Sequence, residues 1–239
     1  MIEITTSRLA VLCAICGILF SGCISEKTVG PIGATSGADE SESVTVETKE
    51  ESVTADVANE GEKKVLETIT LGAGCFWCIE AVLDRVDGIE SVTSGYMGGE
   101  LENPTYEQIC TGQTGHAEVV QVEFDPNKLP IDKMLDVFWQ LHDPTQLNRQ
   151  GADVGTQYRS AIFYHTEDQK KAAEESKKKW DESKKFPQPI VTEITAASTF
   201  YSAEEYHQEF FARNPENGYC RYNILPKFKK LGLLRETDK

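Results

Sequence analysis

The chain has 239 residues, 39% hydrophobic and 26% charged, which fits one domain with extensions and excludes a collagen-like or wholly disordered chain. Its 39 acidic against 24 basic residues leave a formal charge of -15, which argues against non-specific binding to nucleic-acid phosphates. Seven cysteines are too few for a disulfide-dense scaffold and odd in number, so at least one thiol is free, modified or at work.

In chain order, Arg8 stands before an apolar run from Leu9 to Phe20, followed by Ser21, Gly22 and Cys23. That length suits a signal-peptide core and is short for a bilayer span. The small residues before Cys23 resemble a lipobox, which implies removal of residues 1–22 and a lipid on Cys23. A plain membrane anchor with an incidental Cys23 is the alternative. Cleavage would discard Cys13 and Cys16 with the leader. Residues 24–64 read as a disordered acidic linker: from Ile24 to Gly61 there are nine acids and two bases and no aromatic residue. Such a stretch buries too little apolar surface to offset its ordering entropy.

From 65 to 239 the composition is that of a globular domain, and strand and helix patterns alternate. Strands are predicted over Leu66–Leu71, Ile89–Tyr96, Ala117–Asp125, Ser160–His165 and Pro189–Ala196. Helices are predicted over Phe76–Val86, Ile131–Leu141, Glu167–Lys184 and Glu204–Ala212. In the second of these, Ile131, Met134, Leu135, Phe138 and Leu141 recur at helical spacing. One sheet covered by helices is the expected architecture.

The sharpest local feature is Gly72-Ala73-Gly74-Cys75-Phe76-Trp77-Cys78. Glycines let the chain turn out of the first strand, which sets Cys75 at the start of a helix. The unpaired N–H groups and positive end of a helix favour a thiolate, so a lowered Cys75 pKa is expected. Cys78 follows at a spacing that lets both sulfurs share a helix face. Three alternatives to a working thiol at this turn are a buried structural cysteine, a thioredoxin-like dithiol and a metal site. The bulky Phe76 and Trp77 between the cysteines speak against the second, and the absence of a second ligand pair with zinc spacing against the third. The two rings also suggest an apolar cup suited to a methyl or thioether group.

In Ala117–Asp125 the alternation puts Glu118 on one face with Val120, Val122 and Phe124. If that face is the core side, burial raises the Glu118 pKa and keeps it protonated, able to donate. A frayed first residue reaching solvent explains the pattern equally well. Tyr106 follows the proline turn Asn103-Pro104-Thr105, and Tyr158 sits in a glycine-punctuated loop with Asp153. Nothing in the local pattern separates either tyrosine from a packing residue.

Taken together, these segments closely resemble peptide methionine sulfoxide reductases of the A family, which act on the S epimer. The resemblance is carried by GCFWC at Gly74–Cys78, GYMGG at Gly95–Gly99 and NPTYEQIC at Asn103–Cys110. It continues with TGHAE at Thr114–Glu118, FDP at Phe124–Pro126, FWQLHDPT at Phe138–Thr145, RQGADVGTQYRSAI at Arg149–Ile162 and NGYC at Asn217–Cys220.

The resemblance implies an α+β fold, a two-layer sandwich with a ferredoxin-like core. It implies that Cys75 attacks the sulfoxide sulfur and that Glu118 protonates its oxygen. Tyr106 and Tyr158 would hydrogen-bond that oxygen, Asp153 would support the site, and Phe76 and Trp77 would receive the S-methyl group. A second thiol would convert the Cys75 sulfenic acid into a disulfide: Cys220 in a mobile tail, or alternatively Cys78, which stands where many members have Gly. Cys110 is expected to pack. Thioredoxin or a thioredoxin-like dithiol would restore the enzyme. No metal or bound cofactor is implied, and a monomer tethered by its lipid outside the cytoplasm is expected. The rival readings are a thiol–disulfide oxidoreductase using Cys75 and Cys78, and a tethered binding lipoprotein with an inert cysteine.

Overall fold

The computed structural model describes residues 65–238. The signal-like segment, Cys23 and the acidic linker all lie outside the described residues. In chain order come β1 (Glu67–Ala73), α1 (Phe76–Leu83), β2 (Ile89–Met97), α2 (Tyr106–Cys110), β3 (Ala117–Phe124) and α3 (Ile131–Leu141). A hairpin of β4 (Arg149–Gln150) and β5 (Asp153–Val154) precedes β6 (Ser160–Tyr164) and α4 (Glu167–Glu182). The chain closes with β7 (Glu193–Ala196), β8 (Tyr201–Ser202), α5 (Phe210–Arg213) and α6 (Gly218–Leu231).

Six strands form one sheet in the order β7-β6-β1-β3-β2-β8. The inner four, β6-β1-β3-β2, pair antiparallel, and with α1 and α3 they make the split βαβ arrangement of a ferredoxin-like core. β7 extends the sheet in parallel and β8 antiparallel. Strand alternation sorts the residues. Ile69, Leu71, Val120, Val122, Phe124 and Ile162 join the main core. Met97, Ala117, Val119, Ala161 and Phe163 face the other side, where Ala197 and Phe200 pack on them.

Each helix docks by its apolar side. α1 is buried almost all round, through Phe76, Cys78, Ile79, Val82 and Leu83. α3 buries Met134, Leu135, Phe138, Trp139 and Leu141. Its Trp139 Nε1 donates to Ser176 Oγ of α4 at 2.8 Å. α4 buries Gln169, Ala173 and Trp180 and leaves most of its lysine run at the surface. Among the described residues, no helix is long and apolar enough to cross a membrane.

The structure departs from the sequence pattern toward the C-terminus. The predicted helix over Glu204–Ala212 is broken: Glu205–His207 makes one 3-10 turn, Glu209 takes φ 52°, and α5 begins only at Phe210. The segment holding Cys220 is the first turn of α6 rather than a mobile tail. The Asn217 side chain caps α6 by accepting from the N–H groups of Tyr219 and Cys220.

Candidate active site

β1 is followed by Gly74, whose φ of +90° is unfavourable for any side-chain-bearing residue. A Cβ there would also lie 2.7 Å from Gln150. This turn delivers Cys75 as the N-cap of α1. Cys75 makes no side-chain capping bond, so the first amides of α1 need another acceptor. Glu118 supplies it: Phe76 N–H donates to Glu118 Oε2 at 3.1 Å. Glu118 opposes Tyr96 across the β3–β2 ladder and is 1% exposed. Burial holds its carboxyl well above the usual carboxylate range; the nearby Cys75 and Asp153 push the same way, and the Phe76 amide opposes them.

Tyr106 and Tyr158 converge on the same carboxyl. Burial raises both hydroxyls above the usual tyrosine range. For Tyr106 the next causes are a hydrogen bond to Cys110 and the charge of Glu118. For Tyr158 they are the charges of Glu118, Cys75 and Asp153. Tyr106 is set by the capping box of α2, in which Thr105 and Gln108 satisfy each other's amides. Cys110 is exposed rather than packed, and its thiol meets the Tyr106 hydroxyl.

The expected lowering of the Cys75 pKa is reversed. The thiol is held well above its usual range, first by a hydrogen bond to Cys78, then by burial and by electrostatic repulsion from Cys78. The Tyr219 hydroxyl and the Trp77 amide pull the other way without prevailing. The Cys78 contact first and burial second disfavour the thiolate that a helix start would otherwise favour. Cys75 keeps 9% of its surface accessible. Cys78 and Cys220 share its core cluster. Burial, then Cys75, pushes the Cys220 thiol up to about 11. Cys75, Cys78, Cys110 and Cys220 are free thiols.

Several contributors went unrecognised in the sequence. Trp77 stacks on Phe210 at 3.8 Å and 9°, and its Nε1 donates to His207 Nδ1 at 3.0 Å. Phe76 lies 5.0 Å from the His207 ring. Glu204 accepts from the Tyr96 hydroxyl and from the Tyr106 amide, both at 2.9 Å. Tyr219 donates to Asp153 Oδ2 at 2.7 Å and so joins α6 to the β4–β5 hairpin. Only Tyr219 carried a signal, through its place beside Cys220. A cavity of about 360 Å³ lined by Glu80, Asp84, Arg85, Glu209 and Asp238 contains none of the thiols.

The arrangement thus brings together a thiol, a buried carboxyl whose neutral form is favoured and two phenols, beside an aromatic wall. It can attack a small electrophile and protonate the atom that takes up the negative charge.

A profile described as peptide methionine sulfoxide reductase matches residues 67–238. The peptide methionine sulfoxide reductase MsrA of Natronomonas pharaonis is 54% identical over 162 residues, covering 68% of this chain and 91% of that protein. That of Methanothermobacter thermautotrophicus is 59% identical over 149 residues, covering 62% of this chain and 88% of that protein. Among solved structures, the reduced form of Mxr1 from Saccharomyces cerevisiae superposes with a TM-score of 0.61 at 35% identity, covering 65% of this chain and 90% of that one. Methionine sulfoxide reductase A of Corynebacterium diphtheriae gives 0.60 at 36% identity, covering 65% and 77%.

Proposed function

This chain belongs to the peptide methionine sulfoxide reductase family and is therefore an oxidoreductase, and from that premise we propose that it reduces the S epimer of methionine sulfoxide, free and in proteins, with Cys75 as nucleophile and Glu118 as acid. The observation that carries this reading is the bond from the Phe76 amide to Glu118, which holds a buried carboxyl, its neutral form favoured by burial, next to the residue that follows Cys75.

In the proposed reaction the Cys75 sulfur attacks the sulfoxide sulfur. Glu118 gives its proton to the sulfoxide oxygen, with Tyr106 and Tyr158 donating hydrogen bonds to it. The sum is transfer of one oxygen: thioether and Cys75 sulfenic acid are formed from sulfoxide and thiol. General acid assistance of this kind is worth typically ~10²–10⁴-fold. The S-methyl group rests on Phe76 and on Trp77, whose face Phe210 backs. Asp153 acts through Tyr219, which it holds.

A second thiol then displaces water from the sulfenic acid to give a disulfide. We assign that step to Cys220, which shares the core cluster of Cys75. The hydrogen bond between Cys75 and Cys78 favours Cys78 as the alternative. Peptide mapping after one substoichiometric turnover separates them: a Cys75–Cys78 linkage defeats the assignment. An external dithiol of thioredoxin type would reduce the disulfide. The same Cys75–Cys78 contact favours a second reading, a thiol–disulfide oxidoreductase. Insulin reduction without sulfoxide turnover would establish it.

The deciding assay mixes pre-reduced protein with separate S- and R-sulfoxides and counts methionine formed per enzyme. Product from the S epimer, lost in Cys75→Ser, is expected. The lipobox-like Ser21-Gly22-Cys23 supports a lipid-tethered location outside the cytoplasm. Mass spectrometry of the membrane-extracted protein tests it, since an intact N-terminus with unmodified Cys23 would refute the tether.

A further inference from the structure

We propose that His207 is a positioning residue that sets the size limit for the alkyl group on the sulfoxide sulfur: by accepting from the Trp77 indole it locks the aromatic wall where it seats a methyl group and turns away longer chains. The inference deepens the reading above and rests on it for the role of Trp77.

Three contacts hold the indole. Phe210 stacks on one face, with centroids 3.8 Å and planes 9° apart. The Tyr219 ring meets it edge-on, at 6.1 Å and 79°. Stacking fixes the plane of a ring more tightly than its position within that plane. The third contact removes this remaining freedom: Trp77 Nε1 donates to His207 Nδ1 at 3.0 Å. A hydrogen bond is directional, so it pins one edge of the indole.

His207 can pin the indole because it is itself held. It is 1% exposed and ends the 3-10 turn Glu205–His207, where its amide donates to the Glu204 carbonyl at 2.8 Å. The Glu204 carboxylate anchors that turn by accepting from the Tyr96 hydroxyl of β2 and the Tyr106 amide of α2. An indole N–H only donates, so Nδ1 must be bare and the ring proton sits on Nε2. Nε2 has no hydrogen-bond partner among the described residues and lies 4.0 Å from Glu204 Oε2, whose charge favours that tautomer. Burial lowers the His207 pKa against the pull of Glu204 and Glu107, which favours the neutral ring that can accept. The competing role is packing alone, since the imidazole lies among the rings of Phe76, Trp77, Tyr106 and Tyr206. Two substitutions separate the roles. His207→Phe keeps a ring and loses the acceptor. His207→Asn loses the ring and keeps an acceptor, because its Oδ1 is bonded to Cγ as Nδ1 is.

The test measures kcat/KM of the full-length protein, with dithiothreitol as reductant, for the S epimer of methionine sulfoxide and for its S-propyl homologue. The parent protein is expected to prefer the methyl compound, and His207→Phe to lose about tenfold of that preference, within what added methylenes are worth in a closed pocket. His207→Asn should keep the preference to within about threefold. NMR of isotope-labelled protein supplies a readout that needs no sulfoxide. The Trp77 indole N–H, identified by its loss in Trp77→Phe, should exchange with solvent about tenfold faster in His207→Phe. Those of Trp139 and Trp180, bonded to Ser176 and Asp136, should keep their rates. An unchanged preference in His207→Phe would overturn the proposal, as would a preference lost in His207→Asn but kept in His207→Phe, which is the result that packing alone requires. A parent protein that does not discriminate between the two compounds would overturn it as well. Should His207→Phe lose its circular-dichroism signature, His207→Leu, also without an acceptor, replaces it. Turnover of neither sulfoxide by the parent would sink the functional reading itself, a result distinct from turnover with an unchanged preference.

Discussion

At the scale of single residues, Glu118 and Cys75 are an opposed pair. Each is buried, and Cys75 makes Glu118 harder to ionise. Glu118→Gln is expected to slow single-turnover sulfoxide reduction at pH 7 by roughly 10²-fold, with the deficit shrinking as pH falls and solvent supplies the proton. Because burial favours the uncharged carboxyl, the same substitution leaves the charge beside Cys75 nearly unchanged, and Cys75 alkylation should keep the parent's rate near neutral pH. Rapid-quench turnover and peptide-resolved alkylation on one preparation check both; a markedly changed alkylation rate would contradict the electrostatic account. The sequence placed Glu118 with the apolar residues of its strand but could not say whether it was buried, because periodicity fixes a face and not a depth. It misjudged Cys75 for a related reason. A helix start is visible in glycine and aromatic spacing, whereas the desolvation and the Cys78 contact that outweigh it arise from packing of α1 and α6.

At the scale of elements, the strands and long helices of the first two-thirds were legible because each shows one dominant period. α3 has the predicted bounds, Ile131–Leu141. Apart from β7, which falls within the predicted Pro189–Ala196, the C-terminal third was not legible. His207, Phe210 and Tyr219 serve the Trp77 wall from three separate pieces, and the left-handed Glu209 that separates the first two is not a glycine. α6 was missed because Pro226 lies inside it and its apolar side is thin. Its start depends on Asn217, which receives two amides. Asn217→Ala should cost about 1 kcal/mol in urea unfolding. It should also loosen the turn that holds Tyr219 on Asp153, raising KM more than it lowers the single-turnover rate. An unchanged unfolding midpoint would show that the cap is redundant.

At the scale of the whole molecule, buried acids set the pH dependence of stability. Burial raises Glu80 to about 7, with its carboxyl accepting from the Phe210 amide at 3.4 Å. Asp84, at the surface end of the same helix, rises to about 6, again chiefly by burial. A carboxyl with a raised folded-state pKa keeps its proton when the unfolded chain has lost it. Its contribution is complete below the unfolded value near 4.5 and is lost as pH climbs through about 7. The protein should thus be more stable at pH 5 than at pH 8, with Glu80 alone accounting for about 2 kcal/mol. Glu80→Gln should flatten that slope, as judged by urea midpoints at both pH values, and a slope identical to that of the parent would assign the effect elsewhere. Glu118, also raised chiefly by burial, adds to the decline in the same direction.

The bond from the Phe76 amide to Glu118 has a kinetic corollary. Because the acid is fastened to the main chain one peptide beyond the nucleophile, loop fluctuations at the rim can alter how often a guest arrives but not the spacing it finds on arrival. Guests with bulky flanks should accordingly differ from small ones in capture frequency, while the committed encounter proceeds at a common pace.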